Sequence, residues 1–210
     1  MADHDALIDR LSRAARPVRR PLPAGLRTAA WMAAALPCGA LATLALHRVA
    51  TDWSRPGGGW AALQLALALA AGGLAILTAF EWSIAGRRAV AGKWVAPVIA
   101  AWLATSLGNV AMLPSPMGVI GARSYCYVFM VVASLPMIVL YVASLRRTRT
   151  LYPDRCLAAA GLGIAFMTAA LLALCHPVRG HLWDFLAHLA AGATIIAITV
   201  AGGRRWVAVR

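Results

Sequence analysis

Six blocks of about 20 apolar residues, parted by polar and basic stretches, govern what this chain can fold into. A run of that length crosses a hydrocarbon core roughly 30 Å thick as a helix. Inside lipid a chain must satisfy its own backbone hydrogen bonds, so six such blocks predict an all-α integral membrane bundle of six transmembrane helices. The spans are expected at Leu26 to Leu46, Trp60 to Phe80, Trp94 to Leu113, Tyr125 to Leu145, Cys156 to Cys175 and Trp183 to Ala201. Trp53, Trp60, Trp82, Trp94, Trp183 and Trp206 fall near their boundaries, where amphipathic rings favour the interface. With 61% of 210 residues apolar, a soluble globule would lack polar cover.

Basic residues orient the bundle. One side receives Arg10, Arg13, Arg16, Arg19, Arg20, Arg27, Arg87, Arg88, Lys93, Arg146, Arg147, Arg149, Arg155, Arg204, Arg205 and Arg210. The other receives Arg48, Arg55, Arg123 and Arg179. Sixteen against four, with every loop agreeing, predicts that the first side is cytoplasmic. Both termini then lie in the cytoplasm of a bacterial inner membrane. No cleavable signal is expected, because a long polar segment precedes the first block. Two regions are anticipated: a cytoplasmic segment, 1–24, and a six-span domain, 25–210. Alanine and glycine pairs such as Gly72-Gly73 and Gly161-Leu162-Gly163 point to close helix packing.

The spans hold almost no ionisable residues at their centres, which argues against ion transport. Glu81 is expected to face Arg87 or Arg88 at the interface. Thr105, Ser106 and Asn109 read as interhelical hydrogen-bond partners. Walker, HExxH and serine-elbow motifs are absent from the sequence, so an enzyme is not expected. A small transporter or metal exporter is the alternative reading. A membrane thiol oxidoreductase is weaker, since no CxxC pair occurs.

Residues Asp3 to Arg16 read as an amphipathic helix, with Leu7, Ile8, Leu11, Ala14, Ala15 and Val18 on one face and Asp3 as N-cap. Pro17 ends it. A helix this short needs a surface to dock on. The anionic inner leaflet is one such surface, and a groove on a cytoplasmic protein is the other. Asp3, Asp5 and Asp9 oppose the lipid.

Topology separates the four cysteines. Cys38 lies within a span, where cysteine serves as small apolar filler, and Cys156 faces the reducing cytoplasm. Cys126 opens the fourth span and Cys175 closes the fifth, so both fall at the outer boundary, within a helical turn of solvent. His176 adjoins Cys175, and His181 and His188 belong to the same region. Thiols and imidazole suit a soft metal, and two thiols in an oxidising compartment suit a disulfide switch. Two unrelated interface cysteines remain the simpler account.

These residues also carry a resemblance. Leu7-Ile8-Asp9-Arg10-Leu11 with Arg16-Pro17-Val18-Arg19-Arg20, Trp31 early in the first span, Ser83-Ile84-Ala85-Gly86-Arg87, Ser124-Tyr125-Cys126 with Ser134-Leu135-Pro136, and Leu145-Arg146-Arg147 with Leu151-Tyr152-Pro153 resemble the NrsF-type family of membrane anti-sigma factors. The resemblance implies that the N-terminal segment holds an extracytoplasmic-function sigma factor. It assigns partner binding to Leu7, Ile8, Arg10, Leu11, Arg13, Pro17, Val18, Arg19 and Arg20. It assigns redox or metal sensing to Cys126 and Cys175, with His176 and His188 beside them. A resident cofactor is not implied, although Cys126, Cys175 and His176 would serve a transient heavy-metal ion. The partners implied are the sigma factor and membrane lipid, with no direct contact to nucleic acid. In one place the chain departs from the family. The second cysteine is expected after a histidine, whereas the order here is Cys175-His176-Pro177, which puts His176 in the cysteine's place if Pro177 sets the register.

Overall fold

A computed structural model gives the architecture. It describes the chain except for residues 1, 15–20, 45, 47–49, 85, 113–121, 147–149, 176–181 and 208–210, together with the side chains of residues 2, 3, 112 and 122–124. The described residues form seven α-helices: α1 Ala2–Ala14, α2 Ala24–Ala42, α3 Gly58–Trp82, α4 Gly92–Met112, α5 Ala122–Leu145, α6 Pro153–Ala173 and α7 Leu182–Val207. Five of them, α3 to α7, are long and apolar enough to cross a membrane, and they mark a multi-pass membrane protein. Although 19 residues long, α2 is diluted by Gly25, Arg27, Thr28, Pro37 and Gly39. Helix α1 opens at Ala2, so Asp3 lies inside its first turn and is not the N-cap expected from its side-chain chemistry.

Consecutive bundle helices run in opposite directions, as bonds at the two ends show. At one end, Arg27 near the start of α2 bonds Ser83 just past α3, at 3.1 Å. Thr150, just before α6, donates its amide to the Val207 carbonyl that closes α7, at 3.2 Å. There too Arg204 of α7 pairs with Asp154 of α6 at 3.4 Å. At the other end, Thr51 before α3 donates its amide to Leu174 O at 3.0 Å and its hydroxyl to Ala173 O at 2.8 Å, at the close of α6.

Helix α6 is the axis of the bundle. It packs against α3, α7, α5 and α2, and its apolar residues Leu157, Ala160, Ile164 and Met167 are wholly buried. The α3–α6 contact is close because two glycines face each other. A Cβ on Gly72 would stand 3.0 Å from the Gly163 carbonyl oxygen, and one on Gly163 would stand 3.0 Å from that of Gly72. Dispersion between closely approached backbones holds helices together where lipid offers no hydrophobic drive. Helix α4 differs: its extensive helix contact is with α3. It reaches α6 and α7 through Trp102, whose ring lies edge-on to Phe166 at 5.2 Å and 6.2 Å from Phe185.

Of the polar residues expected to join helices, Ser106 does so, accepting a hydrogen bond from Gln64 Nε2 of α3 at 3.3 Å. The Thr105 hydroxyl instead bonds back within α4 to Ala101 O, at 3.0 Å, while its backbone carbonyl accepts from Trp60 Nε1 at 2.9 Å. A threonine that can reach its own preceding turn satisfies its hydroxyl there.

Candidate functional site

Helix α1 stands apart from the bundle, and each of its described side chains is exposed. At 100° per residue, Leu7, Ile8 and Leu11 share one stripe. Their exposures are 54%, 63% and 62%, high for large aliphatic side chains. Arg10 flanks the stripe. Arg13 pairs with Asp9 at 2.8 Å, one turn back and on the face away from the leucines. Pro17, Val18, Arg19 and Arg20 lie outside the described residues. The exposed stretch Pro21-Leu22-Pro23 leads directly into α2. Its two prolines have fixed φ, which limits the conformations open to that joint.

The opposite end carries the expected thiols. All four cysteines are free. Cys126 lies in the first turns of α5 and is 4% exposed, which corrects the expectation of a thiol open to solutes. Helix rotation turns it into the packed core, and only a shift of neighbouring helices would uncover it. Cys175 follows α6 and is half-buried, packed at the edge of the same core cluster. Asp184 of α7 lies within electrostatic range of Cys126. One turn on, the ring of His188 bonds through Nδ1 to the Asp184 carbonyl oxygen. His176 lies outside the described residues, and among those described no three Cys, His, Asp or Glu side chains are grouped to hold a metal.

A third constellation, at the end from which α1 projects, was not singled out by sequence reasoning. The Arg27 guanidinium lies over the Phe80 ring, 4.4 Å from its centroid, while bonding Ser83. Tyr141, wholly buried, packs on Phe80 at 5.0 Å and meets Trp31 edge-on at 6.2 Å. The Tyr141 hydroxyl contacts Cys156 Sγ at 3.5 Å, and that thiol donates to Ala79 O at 3.0 Å. Helices α2, α3, α5 and α6 are thereby tied by one polar and aromatic cluster. In the sequence Arg27 registers as an orienting charge and Cys156 as an idle thiol. The available signal was an arginine at the head of an apolar block, where a cation needs a partner.

Glu81 is 8% exposed and does not pair with Arg87 or Arg88. Its Oε2 accepts the Ala91 amide at 3.3 Å, at the start of α4. The loop after α3 folds back and brings the positive end of the next helix to the carboxylate, which takes the place of a side-chain cation.

The geometry thus gives an exposed amphipathic helix at one end, an enclosed thiol region at the other, and α5 and α6 running between them. No family model matches the chain, and neither a curated protein nor a solved structure matches it.

Proposed function

We propose that this chain is a membrane-bound anti-sigma factor, not an enzyme: residues 1–24 capture an extracytoplasmic-function sigma factor, and residues 25–210 hold it at the membrane and control its release. The observation that carries the reading is α1, a separate helix whose Leu7, Ile8 and Leu11 are uncovered although the bundle beside it buries its own apolar core. An exposed i, i+1, i+4 stripe on a short helix suits a groove on a protein partner. The pairing of Asp9 with Arg13 leaves the face opposite the stripe locally neutral, which weakens attraction to anionic lipid. The resemblance to NrsF-type proteins supplies the class of partner. The direct test is co-purification of the sigma factor with the full-length chain. Removing residues 1–16 is expected to abolish capture while the bundle still enters the membrane. Retained capture would sink the proposal.

The reading needs α2 as a sixth span and both termini in the cytoplasm of a bacterial inner membrane. The distribution of arginine supports that orientation. A reporter fused after Arg210 is expected to behave as cytoplasmic, and one inserted within residues 114–117 as periplasmic. A periplasmic C-terminus would overturn the six-span arrangement.

Release is assigned to Cys126 and Cys175, aided by His176 and His188, acting on a thiophilic metal or an oxidant. Because Cys126 is enclosed, the signal must favour a state in which the ends of α5 and α6 have shifted. Serine at both positions is expected to keep repression and abolish induction, whereas Cys38→Ser changes neither. His176→Ala distinguishes ligation, which it would impair, from a disulfide, which it would spare. A normal response of the double serine variant to both metal and oxidant places the sensor elsewhere.

A further inference from the structure

The bundle is open on one flank. Helix α4 leans on α3 and leaves a gap between itself and α7, floored by α6. A hollow of about 900 Å³ starts at the end of the bundle that bears Arg87, Arg88 and Arg155 and runs between Val95 of α4 and Ala159 of α6. A second hollow, of about 300 Å³, continues it to Trp102, Phe166 and Ala169. Ile99, Leu162 and Ile196 line both, so the two form one continuous groove.

We infer that this groove binds one anionic glycerophospholipid of the cytoplasmic leaflet, with its phosphate at Arg87, Arg88 and Arg155 and an acyl chain along α6. Three observations converge on that occupant. The first is charge. Within the described residues none of the three arginines makes an ion pair, although Arg204 and Asp154 pair nearby. Planar guanidinium groups match phosphate oxygens in geometry and sign. The second is polarity along the groove. Beyond the mouth its walls are aliphatic and aromatic, with His188 the exception, and its Nδ1 is engaged by the Asp184 carbonyl. That wall suits a hydrocarbon tail better than a soluble polar ligand. The third is length. From Arg155 to Ala169 the helix rises about 21 Å. One leaflet contributes about 15 Å of hydrocarbon, and the headgroup layer adds roughly 5–7 Å. The groove is therefore one lipid long, measured from the side the basic residues mark. The inference depends on the membrane orientation and not on what α1 captures.

The experiment uses the full-length chain in nanodiscs of phosphatidylglycerol or phosphatidylcholine, with retained lipid read by native mass spectrometry after transfer to mild detergent. The expected result is one phosphatidylglycerol retained in preference to phosphatidylcholine. Each arginine changed to alanine should lower that preference on the order of fivefold. All three are exposed, so their removal leaves packing intact. Leu162→Trp, which fills the middle of the groove, should lower retention of both lipids. Inorganic phosphate alone should not compete, since it lacks the tail. Equal retention of the two lipids, unchanged retention in the triple alanine variant, or displacement by inorganic phosphate would each overturn the inference. So would a lipid-free dimer dissociated by Leu162→Trp, which would assign the groove to a second copy of the chain.

Discussion

Replacing Gly163 by alanine is expected to destabilise the bundle. The new Cβ would stand 2.7 Å from Ile76 Cγ1 and 3.0 Å from the Gly72 carbonyl oxygen. Ile76 is wholly buried, so its side chain has little room to retreat, and the carbonyl belongs to a helix backbone. Overpacking of this kind costs about 1–3 kcal/mol, and the upper part of the range applies where backbone must move. Thermal unfolding in detergent should show the loss. In an Ile76→Ala background Gly163→Ala should cost less than in the unmodified chain but not nothing, because that change relieves the contact with the side chain and not the one with the Gly72 oxygen. The coupling between the two sites is then measurable as a double-mutant cycle. Gly202→Ala is the control: a Cβ there meets nothing within 4 Å, and alanine in a helix gains about 0.5–1 kcal/mol over glycine. If Gly163→Ala and Gly202→Ala behave alike, α3 and α6 do not meet as described. Gly163→Leu should leave no foldable bundle at all.

What the sequence makes legible is whatever depends on composition along the chain. Five of the six apolar blocks persist as helices long and apolar enough to cross a membrane, and α1 keeps its amphipathic stripe, because length and periodicity suffice to specify them. What it hides depends on how helices rotate and lean. Cys126 lies near the start of its helix, as the sequence expects, but whether it faces core or solvent turns on a rotation that hydropathy does not encode. Glu81 had two arginines within reach in sequence, yet the loop turned and gave it a backbone amide. Gly86, at φ 76°, adopts the left-handed conformation within that turn, where a residue with a Cβ is disfavoured. Tyr141 and Cys156 meet across the connection between α5 and α6, and both contact α3, which no local pattern announces. The lateral groove is a property of no single segment. It exists because α4 stays on α3 while α7 stays on α6.

Replacing Leu11 by aspartate is expected to release the partner and raise transcription of its target genes, with the amount of protein in the membrane unchanged. The two halves of that expectation have separate grounds. Leu11 is 62% exposed and α1 packs on no other part of the described bundle, so the substitution removes nothing that holds the spans together. In the complex the same side chain would be buried, and burial of a leucine contributes about 1.5–3 kcal/mol. Losing it weakens capture roughly 10- to 150-fold, and a carboxylate forced into an apolar groove deepens the loss. Leu11→Ala should therefore give a partial release and Leu11→Asp a full one. Asp9→Asn alters the opposite face, where Asp9 is engaged by Arg13, and should leave repression intact. This ordering matters more than any single value, because an unfolded or mislocalised protein would fail without regard to which face was changed. Comparable repression by Leu11→Asp and the unmodified chain, at equal membrane levels, would mean that the exposed stripe is not where the partner binds. Release by Asp9→Asn equal to that by Leu11→Asp would point to charge as the basis of capture in place of apolar contact. The stripe also predicts a chemical rescue: Leu11→Met preserves apolar volume with a flexible side chain and should retain most of the capture.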